Sequence, residues 1–135
     1  MKPQLGHEIR DLALVGGGAI PGALLRWRLE SLSGLMPHSL KSVLGSHGMG
    51  NMIGCLVIGL VLAGSAARPR LMLAVGIGFC GSLTTFSSWM LELARVLESG
   101  QVSAVSGVLV VSLVGGLGLV SLGYALGQGM ARRRG

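Results

Sequence analysis

Charge is scarce in this sequence, and the places it avoids say more than the places it occupies. Only 12% of the 135 residues are Asp, Glu, Lys or Arg, against 50% hydrophobic. None of the four occurs from Leu12 to Leu25, Ser42 to Ala67, Leu71 to Leu91 or Ser99 to Ala131, gaps of 14, 26, 21 and 33 residues. A helix rises about 1.5 Å per residue and the hydrocarbon core of a bilayer is about 30 Å thick, so a span takes roughly 20 residues. The last three gaps suffice as they stand. The first reaches Leu29 if Arg26 and Arg28 snorkel to the interface. One such gap would fit a buried core helix, but four in so short a chain leave too little polar surface to coat a soluble globule.

Other absences narrow the class further. No paired carboxylates, nucleotide-binding motif or redox site appear, so an enzyme is not expected. The two cysteines, Cys55 and Cys80, both fall in apolar segments, which favours small packing residues over a disulfide or a metal site. There is no internal repeat, low-complexity tract or soluble domain. Lys2 and Arg10 precede an apolar run, as in a secretory signal, but Gly16, Gly17, Gly18 and Pro21 interrupt it. No small-x-small cleavage site is followed by a soluble domain. The segment is expected to be a retained span.

What is present predicts an all-α integral membrane protein, one domain over residues 1–135. Its four transmembrane helices are expected at about Leu12–Leu29, Ser42–Gly64, Leu71–Leu97 and Gln101–Met130. Pro69 disfavours helix just before it, marking a break at Ala67–Arg70. The tight connection at Glu98–Gly100 implies an antiparallel helical hairpin. The net charge of +6 does not require nucleic acid, because the cations sit at segment ends, where anionic headgroups lie. The side holding both termini carries seven cations (Lys2, Arg10, Arg68, Arg70 and Arg132 to Arg134) and the other four (Arg26, Arg28, Lys41 and Arg95). The positive-inside rule then puts the termini in the cytoplasm, in a multi-pass protein of the cell (inner) membrane.

Glycine accounts for 24 residues. Small-xxx-small spacings occur at Gly18–Gly22, Gly50–Gly54 and Gly123–Gly127. In lipid such spacings let helix backbones approach closely. A bundle packed that tightly leaves room only for a narrow pathway.

Polar residues in apolar segments mark functional sites, because they cost energy there. Gly78–Glu92 reads GFCGSLTTFSSWMLE, in which Thr84, Thr85, Ser87 and Ser88 surround Phe86. Non-helical backbone at membrane depth is tolerated only inside protein or along a cavity, so a break in the third helix near Gly81–Thr85 is expected. Phe86 and Trp89, three apart, share a helix face.

This segment resembles the motif of the Fluc (CrcB) family of fluoride channels, roughly G-F-C-G-G-x-T-T-F-S-T-F with a glutamate three residues later. Gly16-Gly17…Gly22-Ala23-Leu24-Leu25-Arg26-Trp27 resembles the family's first helix, and Asn51-Met52-Ile53-Gly54 with Gly59 its second. The resemblance implies an antiparallel, dual-topology dimer of four-helix subunits with two narrow fluoride pathways along the interface. It also implies a structural sodium ion at the dimer centre, held by backbone carbonyls of Gly81 and Thr84 from both subunits. Backbone oxygens suit a hard cation. A fluoride pathway must replace hydration water with donors. Asn51, Thr85 and Ser112 offer them, and the rings of Phe86 and Trp89 present positive edges. Trp89 stands where the family has a second phenylalanine.

Each of these residues also has a plainer reading. Phe86 and Trp89 would serve as packing aromatics, and Asn51 as an interhelical hydrogen bond of roughly 1 kcal/mol or less. Arg26 matches the family arginine, or snorkels. Glu92 matches the family glutamate and either lines a vestibule or caps the bundle. His47 replaces the family's threonine one turn before Asn51, which suits a pH-sensitive vestibule or a capping or interfacial histidine. The fourth helix keeps Ser112 but has Val108 and Gly116 where the family often has a tyrosine and a threonine. The function expected is passive fluoride export that relieves cytoplasmic fluoride entering as HF in acid. A small dual-topology proton-coupled transporter of cationic drugs would need a carboxylate at membrane depth, for which Asp11 and Glu92 are the candidates. A non-conducting partner subunit is the third reading. The charge balance favours a homodimer and leaves room for a heterodimer with a paralogue.

Overall fold

The computed structural model describes residues 2–33, 35, 38–64 and 68–133, with side chains over 5–32, 35, 47–64 and 68–133. Residues 65–67 of the expected loop and Arg134 of the basic tail lie outside the described residues, as do the side chains of Lys2 and Lys41. The described elements are all helical. They are α1 (Lys2–Ser33), α2 (His38–Leu62), α3 (69–83), α4 (Phe86–Glu98) and α5 (Val102–Arg132).

The helices run past the apolar segments that foretold them. α1 begins ten residues before Leu12 and ends four after Leu29. Hydropathy marks where apolar surface is needed, and a helix can continue in water beyond it. Arg10 and Asp11, 3.3 Å apart on that extension, are exposed and contribute little to stability. At the other end of α1, the Arg28 guanidinium lies over the Trp27 ring, 5.3 Å from its centroid. That pairing suits an interfacial anchor.

The third expected helix is in two pieces. α3 starts with Pro69–Leu71 in α geometry, continues through Met72–Cys80 with π-type bonding, and closes with Gly81–Leu83. Thr84 (φ −85°, ψ 152°) and Thr85 (φ −146°, ψ 124°) are then extended, and α4 resumes at Phe86. The break thus sits at the end of the stretch where the sequence placed it. After α4 the chain turns at Gly100, whose φ of 78° puts it in the left-handed region that glycine tolerates, with its N–H donated to the Leu97 carbonyl at 2.9 Å. Trp89 and Ser112 lie nearly equal distances before and after this turn and touch, as in an antiparallel hairpin.

Glycines set how closely the helices meet. α5 packs most extensively on α2, and α1 on α3. Gly59 of α2 faces the Val120 carbonyl, and Gly123 and Gly127 of α5 face the backbone of Leu56 and Leu60. Gly18 and Gly22 of α1 meet the carbonyls of Ala74 and Phe79, while Gly50 and Gly54 abut Leu83 and Thr84 beside the break. All three small-xxx-small pairs are therefore helix contacts. Tight contact of this kind supplies dispersion where lipid removes the hydrophobic drive.

Among the described residues only Val61, Cys80, Leu83, Leu93 and Val108 are buried hydrophobics, and only Leu83 completely so. α5 instead turns Val110, Leu113, Val114 and Leu117 outward. An apolar exterior of that kind suits a lipid solvent. Pro69–Glu98 and Val102–Arg132, 30 and 31 residues, are long and apolar enough to cross a bilayer, and His47–Leu62 is a shorter apolar stretch. The described residues are thus all helical or in short connections, with apolar helices suited to membrane spans.

The glycine contacts are directly testable. Gly59→Ala should lower stability by about 1–3 kcal/mol, because a methyl group there overlaps the Val120 carbonyl. Gly129→Ala, with nothing within 4 Å, should be neutral or slightly stabilising, since alanine is the better helix former. Unfolding in mixed detergent micelles reads both, and equal effects would refute the close-approach account.

Candidate functional site

Helix α2 carries Asn51 to the break in the third helix, and the two are joined at both ends of one side-chain amide. Asn51 Oδ1 accepts the Thr85 backbone N–H at 2.9 Å, and Asn51 Nδ2 donates to the Thr85 carbonyl at 3.2 Å. The amide thus imitates a strand partner for a residue that has left the helix. One consequence falls on Gly81. Its carbonyl would ordinarily accept from the N–H four residues on, but that N–H belongs to Thr85 and is turned to Asn51. Thr84 is extended, so its carbonyl also lies outside the helical ladder. The Thr84 N–H and hydroxyl both donate to the Cys80 carbonyl at 2.9 Å, which closes the end of α3.

Thr85 is also the N-cap of α4. Its hydroxyl accepts the Ser88 N–H at 3.4 Å, donates to Ser88 Oγ at 3.2 Å and lies 3.4 Å from Ser87 Oγ. The expected lone donor is a member of a capping cluster. The break therefore presents two ends of opposite polarity: the carbonyl end of α3 and the amide end of α4. The first favours a cation and the second an anion.

A cleft of about 480 Å³ opens on this junction. Asn51, Thr84 and Thr85, the aromatics Phe86 and Trp89, Ser112 and the backbone of Gly81 all line it. None of its walls carries a formal charge. Phe86 is 72% exposed, and its ring centroid lies 5.8 Å from that of Trp89 with the planes tilted by 47°. The Trp89 indole N–H donates to Ser112 Oγ at 3.2 Å across the hairpin. The indole donor is thereby engaged, while the Ser112 proton remains to be given. Cys55 and Cys80 share the cleft wall as free thiols.

Arg26, His47 and Glu92 are not in this cleft. Glu92 and His47 line a second cavity of about 280 Å³ with Ser88 and Arg95. Arg26 pairs with Glu30 at 3.6 Å, and His47 Nδ1 lies 3.0 Å from the same carboxylate. Arg26 thus has a carboxylate neighbour on its own helix. Glu30 was not singled out from the sequence, although its spacing of four from Arg26 was the available signal.

Known proteins match most of the chain. Residues 13–124 fit the sequence model of the family described as CrcB-like protein, Camphor Resistance (CrcB). The fluoride-specific ion channel FluC 2 of Synechococcus sp. (strain CC9902) is 44% identical over 124 residues, covering 92% of this chain and 84% of the relative. The same strain has a fluoride-specific ion channel FluC 1, 39% identical and covering 87% and 93%. The fluoride-specific ion channel FluC of Bordetella avium (strain 197N) is 38% identical over the same shares. With its broken third helix, its asparagine clamp and this extent of sequence similarity, the chain belongs to the CrcB family.

Proposed function

We propose that the chain is a fluoride channel that lets fluoride leave the cytoplasm passively across the cell (inner) membrane, with the cleft at the helix break as its pathway. The observation that carries this is the composition of the cleft: hydrogen-bond donors and ring edges without formal charge. Fluoride is small and strongly hydrated, so it must be offered donors as its water is removed. Asn51 Nδ2 spends one N–H on Thr85 and keeps the other; Ser112 keeps its proton; Phe86 and Trp89 offer ring edges. The amide end of α4 adds a partial positive charge. A larger and weaker acceptor such as chloride gains less from the same donors. The activity is transport, not catalysis.

Four spans follow in this reading, with α3 and α4 together forming the third. Phe86 exposed on an open cleft suits a subunit that is completed by another, in an antiparallel dual-topology dimer. A sodium ion fits the carbonyl end of the break, since Gly81 and Thr84 offer oxygens outside the helical ladder and Gly81 has open space around it. Those two residues from each subunit would hold it, and it would supply a fixed positive charge that locks the interface.

A homodimer is the primary assembly. The second reading, a subunit that conducts only with a paralogue, has one observation in its favour: a single cyanobacterial strain has both a FluC 1 and a FluC 2 relative. The drug-transporter reading finds no support, because Asp11 is exposed beside Arg10 and Glu92 shares its cavity with Arg95.

Proteoliposomes holding only this chain should release fluoride quickly, followed with a fluoride electrode, and should retain chloride. Silence from folded protein, relieved by co-expressed paralogue, would favour the heterodimer. Phe86→Ile should slow efflux by about tenfold or more, a barrier rise of about 1.4 kcal/mol, with little loss of stability because the ring is exposed. Asn51→Asp should slow efflux as strongly and also destabilise by about 1–3 kcal/mol, since the Thr85 carbonyl loses its donor. Normal conduction by both variants would remove the cleft from the pathway. Sodium should raise the unfolding temperature relative to an organic cation. Thr84→Ala should keep most of that shift, because the ligand is backbone; losing it would implicate the hydroxyl.

A further inference from the structure

Outside the cleft, three side chains converge where the end of α1 meets α2. Glu30 Oε1 lies 3.0 Å from His47 Nδ1 and 3.6 Å from Arg26 Nε. His47 is the most shielded of the three, its side chain 21% exposed. On its other side is the cavity of about 280 Å³ bounded by Ser88, Glu92, Arg95 and Ser99. Ser88 belongs to the hydroxyl cluster of Thr85, and His47 stands one turn before Asn51 on the same helix face. This cavity therefore adjoins the cleft through the residues that shape it.

Among the described residues, the charged groups around His47 come from two elements. α1 supplies Arg26 and Glu30, and α4 supplies Glu92 and Arg95. Cations and carboxylates thus meet around the imidazole, and a proton taken up by the ring adds one positive charge among them. Of the groups gathered here, the imidazole is the one whose charge changes by taking up or releasing a proton near neutrality.

We propose that His47 is a proton-binding site at the mouth of the fluoride pathway, clasped by Glu30, whose protonation adds a positive charge at the entrance and speeds fluoride entry. This rests on the fluoride-channel reading above. Glu30 acts as a positioning residue: its carboxylate holds the imidazolium and the Arg26 guanidinium together and ties α1 to α2. The response has a physical direction. Acid is the condition in which fluoride accumulates in a cell as HF, and acid is what charges the site. A unit charge about 7 Å from a passing anion in water raises its local concentration about threefold. Salt screens that gain, with a Debye length of about 3 Å at about 1 M.

The test is fluoride efflux from proteoliposomes holding the full chain, at about pH 8 and about pH 6, in low and in about 1 M salt. Protein-free liposomes correct for HF crossing the lipid. The parent should run about threefold faster at the lower pH in low salt, and this difference should collapse in high salt. His47→Gln should show no such response; a pH profile superimposed on the parent's overturns the proposal. If the chain passes no fluoride at all, the channel reading fails by itself. The proton site is then read from the ring-nitrogen resonances of His47. Titration over the same interval, altered by Glu30→Gln, upholds the site, and resonances that do not titrate dismiss it.

Discussion

Two hydrogen bonds from one asparagine hold this structure in its working form. A helix that stops at membrane depth strands backbone groups that water cannot reach, and each such group costs free energy if left unpaired. Asn51 satisfies both polar groups of Thr85, each bond contributing about 1 kcal/mol net and more where the surroundings are dry. Everything at the break depends on that clamp. It keeps Thr84 and Thr85 extended, turns the Gly81 carbonyl out of the helical ladder, and aims the amide end of α4 into the cleft. A side chain from another helix, 34 residues away, therefore decides that a cation-favouring and an anion-favouring surface exist next to each other.

Close packing and open surface are two sides of the same design. The glycines of α1, α2 and α5 bring backbones together, so the subunit coheres with only five buried hydrophobic side chains among the described residues. The remaining apolar surface is left for lipid and, in the proposed dimer, for a second subunit. Phe86 illustrates the point. A ring 72% exposed at the edge of a cleft does nothing for the stability of one chain, yet it is placed where a passing anion or a partner would meet it.

Much of this was legible in the sequence, for identifiable reasons. The run of small hydroxyls at Thr84 to Ser88 is costly in lipid unless a cavity or break absorbs it, which located the break to within a few residues. Glycine spacings of four foretold the faces that touch. Asn51 and Ser112 were singled out on segments separate from that of Thr85, Phe86 and Trp89, and the fold brings all five to one cleft. What could not be read has no periodicity. The clamp and the Trp89–Ser112 bond link residues 34 and 23 apart, and a side chain reaching a distant backbone leaves no pattern. Met72–Cys80 bonds in π register, so the 3.6-residue rule assigns its faces incorrectly. The polar start of α1 carries no hydropathy signal. The tie from Glu30 to His47 required knowing that the end of α1 lies beside α2.

The two departures from the family pattern in α4 and α5 are best understood together. Trp89 stands where the family has a smaller ring, and α5 retains Ser112 between Val108 and Gly116. In the fold, Val108 is buried and Gly116 lies against Cys55, with its sulfur at 3.4 Å from where a side chain would begin. Val108 is not on the cleft wall, and Gly116, which is, brings no hydroxyl to it. The indole reaches across to Ser112 and donates to its oxygen, which orients the hydroxyl proton away from the bond it has just accepted. A long polar track on α5 is thus replaced by one serine aligned by one tryptophan. In the proposed pathway, the indole would supply by its hydrogen bond an orientation of the Ser112 hydroxyl that the lost hydroxyls would otherwise have shared. The thinning of α5 and the enlargement at Trp89 would then act on the same donor.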